Sequence, residues 1–372
     1  MSHIQKRGPG RWVARYTDPS GHERAKSFER KVDAERFLTS VKHSMYSDAY
    51  VDPRAGRITF AEYSERWRAR QPHRPTTART IERHLRVHVL PALGDRPVGS
   101  IRTSDVQEWA TGLCAQNGLA PSTARAVFEN VRAVFRAAVT DRLITHSPCV
   151  GVALPTVTPN RVEPMPHAQV RALVAAMHPR YRALVTLAAG SGLRAGELFG
   201  LQVRHVDLLR GVVRVEQQVH ELAGRIVVGR PKTPRSRRSV PLAAIVRAAL
   251  TDHLRDFPPP GPDAYLFTAP NGGPIRRTNF MRSYWNPAAR AVDIPVGTAL
   301  HALRHYFASV LIASGLSVKV VSDLLGHKNA AETLNTYAHL WPTDDDRARD
   351  ALDDVLGDDQ TDAGRTDEAS NE

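Results

Sequence analysis

Three short stretches in the C-terminal half of the chain hold residue types suited to chemistry at a phosphodiester. The first is Gly190-Ser-Gly-Leu-Arg-Ala-Gly-Glu-Leu, residues 190–198. Its glycines break one helix and leave Arg194 at the start of the next. There the guanidinium adds to the positive end of the helix dipole, a favourable place for a phosphate. Glu197, one turn on, is placed to orient Arg194 or to pair with a neighbour. The second stretch is His301-Ala-Leu-Arg304-His305. A spacing of three puts His301 and Arg304 on one helix face, with Leu303, Phe307 and Leu311 turned to the core. Arginine makes bidentate contacts to two non-bridging oxygens, and histidine exchanges a proton near neutral pH. The third is Leu324-Leu-Gly-His327, followed by Tyr337 in Thr-Tyr-Ala-His-Leu. Gly326 ends a helix, His327 follows where its side chain can face a cleft, and Tyr337 falls in a short helical run. Singly, each stretch is a weak signal: Gly-Leu-Arg arises by chance, and a lone tyrosine is usually a half-buried packing residue.

These residues need a scaffold, and the patterning supplies one. A proline-rich stretch, Pro148 to Pro166, reads as an extended linker. Beyond it come two helices, strands over Gly211–Val219 and Arg225–Val228, and a turn over Lys232–Arg237. That turn leads into Ser239-Val240-Pro241-Leu242, after which the chain is largely helical to about Leu356. Upstream, Trp12, Ala14 and Tyr16 alternate with polar residues, turn at Asp18-Pro19-Ser20-Gly21, and resume to Phe28, a hairpin pattern. A helix over Lys31–His43 follows, with Ala34, Phe37, Leu38 and Val41 on one face.

Between the hairpin unit and the linker four amphipathic helices are predicted. Thr59 caps Phe60–Ala69, Thr76-Thr77 opens a helix that Pro91 and Gly94 end, Ser104-Asp105 caps the third, and Pro121-Ser122 opens the fourth. Arg79, Arg83, Arg86 and Arg125 would lie on solvent faces within reach of phosphates. The fold class is α+β: a mostly helical catalytic domain with a small antiparallel sheet, preceded by an all-α helical domain and a small β-hairpin and helix module. The divisions are residues 1–50, 57–150, 160–345 and an acidic tail, 346–372, disordered after Asp358.

Composition narrows the partner. The 372 residues carry a formal charge of +13. From Thr343 onward there are 12 acidic and 3 basic residues, so the remaining body carries +22. An excess of this size points to a polyanion, most often nucleic acid. Cys114 and Cys149 are far apart and outside any CxxC spacing, which argues against a disulfide framework or a zinc site and suits the reduced cytoplasm. There is no apolar run of membrane-spanning length and no secretory signal pattern.

The ordered set Arg194, His301-x-x-Arg304, Leu-Gly-His327 and Tyr337 resembles the tyrosine recombinase family, most closely its phage-type integrases, over about residues 165–342. That family places a lysine in a β-hairpin turn between the first arginine and the HxxR motif. Lys232, in Arg230-Pro-Lys-Thr-Pro-Arg-Ser-Arg-Arg-Ser ahead of a Val-Pro-Leu strand, fits, and it is the only lysine between residues 160 and 300. Residues 59–145 resemble the family's core-binding helical domain, and residues 8–45 its small three-stranded arm-site-binding modules.

The resemblance implies site-specific DNA recombination, with DNA integration by a mobile element as its setting. Tyr337 would be the nucleophile that forms a 3′-phosphotyrosine, and Arg194 and Arg304 the phosphate clamp. Lys232 would be the general acid, His301 a general base or hydrogen-bond donor, His327 a second phosphate donor, and Glu197 a support. It also implies no cofactor, no metal and no ATP. The partners would be double-stranded DNA at attachment sites, three further copies in a homotetramer, and accessory DNA-bending or excision factors. A helix over Asp345–Leu356 would dock on a neighbouring subunit through Ala351, Leu352, Val355 and Leu356. Type IB topoisomerase-like relaxation, or an inactive DNA-binding regulator, are the alternatives.

Overall fold

In the computed structural model, which describes residues 2–357 except 20, 48–49, 53, 159–160, 223, 232–233 and 342–344, the N-terminal alternation becomes three strands. They are β1 (His3–Lys6), β2 (Trp12–Thr17) and β3 (Glu23–Phe28), antiparallel in the order β1-β2-β3. The alternation predicted only the β2–β3 hairpin, whose register pairs Trp12 with Phe28 and Tyr16 with Arg24; the third strand was implied by the resemblance alone. β1 carries one apolar residue in four, too little for alternation to show. Helix α1 (Lys31–Tyr46) runs three residues past the expected end and packs Ala34, Leu38 and Val41 against Ala14 and Tyr16. The buried Asp18 carboxylate accepts from the His22 N–H and from Arg24 Nε, both at 2.9 Å. Arg24 also pairs with Asp52, which ties the chain beyond α1 back to the sheet.

Four amphipathic runs make the next core. Helix α2 (Phe60–Ala69) is capped as predicted, the Thr59 hydroxyl accepting from Glu62 N–H at 3.2 Å. Helix α3 (Pro75–His84) passes through a π turn at Leu85–Val89 into α4 (Leu90–Leu93). Pro91 has no N–H to donate, and the helix widens just before it. The His88 carbonyl, within this turn, accepts from the Trp109 indole at 2.8 Å. Helix α5 is Thr103–Ala115. The expected cap residue Asp105 sits inside its first turn and reaches back to the Arg102 N–H at 2.7 Å, while Arg96 pairs with it at 2.7 Å. Helix α6 (Pro121–Thr140) starts with proline at its first position and buries Val127, Val131, Val134, Phe135 and Ala138. Arg79, Arg83, Arg86 and Arg125 are all exposed, as their helical positions require.

The chain divides into two units between residues 159 and 160. The described part of the proline-rich stretch contains neither helix nor strand. The second unit opens with α7 (His167–Ala176), α8 (Pro179–Ser191) and α9 (Ala195–Gly200). Strands β4 (Val206–Asp207), β5 (Val212–Val215), β6 (Gln218–Leu222), β7 (Arg225–Gly229) and β8 (Arg238–Pro241) follow.

One predicted strand, Gly211–Val219, is in fact two. β5 belongs to a β4-β5-β8 sheet, whereas β6 pairs with β7. The strands that flank the lysine segment, β7 and β8, therefore belong to different sheets and are not paired with each other. Pro231 and Pro234, without N–H groups, do not extend a ladder there. Lys232 itself lies outside the described residues.

Then come α10 (Ala244–Asp256), α11 (Arg277–Phe280), a second π turn at Met281–Trp285, α12 (Asn286–Arg290), α13 (His301–Ala313), α14 (Val318–Leu325), α15 (Ala330–Tyr337) and α16 (Asp345–Gly357). Leu184, Val213, Val240, Phe267, Trp285 and Leu303 centre the core of this unit. Helix α16 forms where a helix was predicted, with Leu352, Val355 and Leu356 exposed. The Ala351 side chain, and the tail after residue 357 that the sequence reads as disordered, lie outside the described residues. The fold is α+β, with small antiparallel sheets among helices. Among the described residues no helix is long and apolar enough to cross a membrane.

Candidate active site

Helix α8 ends at Gly192 and α14 ends at Gly326, both left-handed, with φ of 60° and 64°. Such a stop exposes the last carbonyls of the helix, the negative end of its dipole. At the end of α14 three successive carbonyls are each taken by a different arginine. Arg238 Nε donates to Leu324 O at 2.6 Å, Arg304 Nη2 to Leu325 O at 2.7 Å, and Arg194 Nη2 to Gly326 O at 3.3 Å. Arg304 Nη1 also donates to Gly192 O at 2.7 Å, so its guanidinium bridges the ends of α8 and α14.

A Cβ on Gly192 would stand 2.4 Å from Phe307 Cδ1. Gly192→Ala is therefore expected to cost about 2–5 kcal/mol, from the left-handed backbone penalty of about 1–2 and overpacking of about 1–3. Denaturant unfolding measures it; an unchanged midpoint would show that the residue does not need this conformation.

Glu197 neutralises part of the cluster. It is 2% exposed and pairs with Arg194 at 3.2 Å and Arg238 at 3.0 Å. Burial alone would raise its pKa, but the Arg238 and Arg194 charges override that and hold it below the usual carboxylate range. Its backbone bond from the Arg194 N–H, at 3.0 Å, also fixes the start of α9. Both expectations for this residue are met at once, since it orients Arg194 and pairs with a neighbour.

One carboxylate does not balance three guanidiniums. Arg304, 2% exposed, is pushed down to about 9 by burial and by Arg194 and Arg238. Burial and the Arg304 charge likewise hold His327 down to about 4. His301 is also held near 4, by partial burial and then by His305, Arg304 and Arg194, although its side chain reaches solvent. An anion placed among these groups would relieve all of them.

Tyr337 closes α15 and is 1% exposed. Burial pushes its phenol up to about 12, while Arg304 and Arg194 pull the other way. Its hydroxyl lies 2.8 Å from His305 Nδ1. His327 does not face an open cleft as predicted: it is buried, with Nδ1 2.7 Å from Thr333 Oγ1 and Nε2 3.8 Å from Glu332. The left-handed turn at Gly326 brings α15 back against α14, and Thr333 covers the ring.

Five of the six residues singled out in the sequence thus converge: Arg194, His301, Arg304, His327 and Tyr337. The sixth, Lys232, lies outside the described residues. Two participants went unassigned. His305 is in the second motif, one turn after His301, and that spacing was the available signal. Arg238 opens β8, and nothing in its surroundings marks it. Among the described residues no group of three or more His, Cys, Asp or Glu side chains could hold a metal.

Residues 163–343 match the phage integrase family, residues 60–153 the phage integrase central domain, and residues 3–47 the phage integrase N-terminal domain. The integrase of Mycobacterium phage D29 is 28% identical over 334 residues, 86% of this chain and 87% of its own. Tyrosine recombinase XerD of Pseudomonas aeruginosa is 30% identical over 233 residues, 59% of this chain and 72% of its own. The structure of the Tn1549 transposon integrase in complex with transposon right end DNA aligns with a TM-score of 0.69 at 25% identity, covering 80% of this chain and all of that one.

Proposed function

We propose that this chain, which belongs to the phage integrase family of tyrosine recombinases, breaks DNA by attack of the Tyr337 phenol on a phosphate held by Arg194 and Arg304. It is a site-specific recombinase. The observation that carries the reading of the site is the buried Tyr337 hydroxyl within the electrostatic reach of two arginines whose guanidiniums are fixed on neighbouring carbonyls.

Attack forms a bond from Tyr337 Oη to phosphorus and breaks the bond to the 5′-oxygen. The 3′-phosphotyrosine conserves the energy of the broken bond, so a 5′-hydroxyl from another strand reseals it without ATP. Arg194 and Arg304 stabilise the charge that grows on the non-bridging oxygens. Lys232 protonates the departing 5′-oxygen. His301 serves at the solvent edge as base or hydrogen-bond donor, and His327, steadied by Thr333, as a second donor to the phosphate. Glu197 keeps Arg194 in place.

Two arginines supply the positive charge that divalent ions supply in other nucleases, so the reaction is metal-independent. Each chain holds one nucleophile, and exchange between two duplexes breaks four strands. Four copies on DNA follow, with accessory DNA-bending or excision factors setting direction. Residues 1–50 serve as an arm-site module, residues 57–150 grip core DNA, residues 160–345 carry the chemistry, and α16 in the acidic tail docks on a neighbouring copy. The protein works in the cytoplasm, where that DNA lies.

The test uses duplexes selected from randomised DNA by binding to the wild-type protein. A denaturation-resistant protein–DNA adduct is expected to form equally with and without EDTA, and two copies of the selected site on one plasmid should recombine. Loss of the adduct in EDTA overturns the metal-free mechanism. Relaxation without recombinants would indicate a topoisomerase, and binding without any adduct a regulator.

A further inference from the structure

A phenol that attacks phosphorus must give up its proton, and the side chain beside this one is His305. Its Nδ1 is 2.8 Å from Tyr337 Oη, and the two rings meet edge-on with centroids 5.6 Å apart. His301 packs edge-on against the same imidazole at 4.6 Å, which limits its rotation. Among the described residues no other side chain hydrogen-bonds the Tyr337 hydroxyl. The carboxylate whose charge reaches it, Glu332, is engaged with the Lys328 N–H at 3.2 Å and lies 3.8 Å from His327.

Burial and the Arg304 charge favour neutral His305. A neutral imidazole with its proton on Nε2 offers Nδ1 as an acceptor, and the Tyr337 O–H donates to it.

We propose that His305 is the proton acceptor for the nucleophile. As Tyr337 Oη bonds to phosphorus, its proton passes to His305 Nδ1, and the bond to the 5′-oxygen breaks, that oxygen taking its proton from a separate acid. In rejoining, the 5′-hydroxyl attacks phosphorus and gives up its proton to that acid's conjugate base. The Tyr337–phosphorus bond breaks, and the His305 imidazolium returns its proton to the phenolate. Nothing is left over in either direction.

Arg304 disfavours the imidazolium while the site holds no phosphate. The charge of a bound phosphate offsets Arg304, so the base gains strength only once DNA is in place. His301 is thereby left as a hydrogen-bond donor.

The inference rests on Tyr337 as nucleophile, and the experiment separates the two. Single-turnover cleavage is measured on selected duplexes nicked so that the 5′ product escapes, for wild type, His305→Gln and His305→Ala, with DNA affinity and thermal unfolding as controls for folding. Glutamine can accept the hydrogen bond but cannot take the proton.

Both variants are expected to cleave about 100-fold slower, within the usual range for loss of a general base, and to bind DNA within about threefold of wild type, as removal of an uncharged group should. A second substrate carries sulfur in place of the bridging 5′-oxygen, a leaving group that needs no proton. The defect should persist on it, because the missing step is at the nucleophile. Restoration of the wild-type rate by sulfur would make His305 part of the leaving-group acid and overturn the proposal. So would wild-type cleavage by His305→Gln, or faster cleavage, which would make the histidine a latch. An adduct formed by Tyr337→Phe would instead remove the premise.

Discussion

Tyr337→Phe is expected to form no covalent adduct with DNA while binding it within about threefold of wild type, since the substitution removes no charge that could grip a phosphate. The substitution is unusually clean. The ring is 1% exposed and packs edge-on against His305, and phenylalanine keeps that shape. What goes is the oxygen and its 2.8 Å bond to Nδ1, worth about 1 kcal/mol of stability. A complete loss of chemistry would therefore accompany a nearly unchanged fold. Denaturing gels of protein with radiolabelled DNA read the adduct, and gel shift reads the affinity. A persisting adduct would place the nucleophile at another residue.

The second large effect is expected at Arg304. It bridges Gly192 O and Leu325 O at 2.7 Å each, and its planar fork is what lets one side chain reach both. Arg304→Lys keeps a charge but not the fork, and cleavage is expected to fall by about 10²–10³-fold, the scale for losing one fixed donor to a developing oxyanion. Stability should fall less than two orphaned carbonyls suggest, at about 1–3 kcal/mol each. The reason is that Arg304 already sits among like charges that push it down to about 9, and removing the crowding offsets part of the loss. Single-turnover rates beside denaturant midpoints test both halves. A lysine variant that cleaves at the wild-type rate would show that the guanidinium geometry does not matter.

How much of this was legible beforehand depends on the range of the interaction. Helix α6 could be read because Val127, Val131, Val134, Phe135 and Val139 recur at helical spacing, and Thr59 and Pro121 because caps and first-turn prolines act within a few residues. The motif residues were visible because three of the stretches are local. The split of Gly211–Val219 into β5 and β6 was not, since a run of valines looks the same whichever sheet receives it. The π turns before Pro91 and Pro287 depend on how the helix accommodates a missing N–H. His305 and Tyr337 are 32 positions apart, and Arg238 meets Glu197 across 41. No spacing rule reaches that far, so their partnerships emerge only when the elements pack.

The run of carbonyls at residues 324–326 ties three arginines from three separate parts of the chain to one short helix end. A shift of α14 by an ångström would strain all three guanidiniums together, Arg304 against its second anchor at Gly192, and Arg194 and Arg238 against theirs at Glu197. One short helix end thus has a hand in setting all three side chains at once.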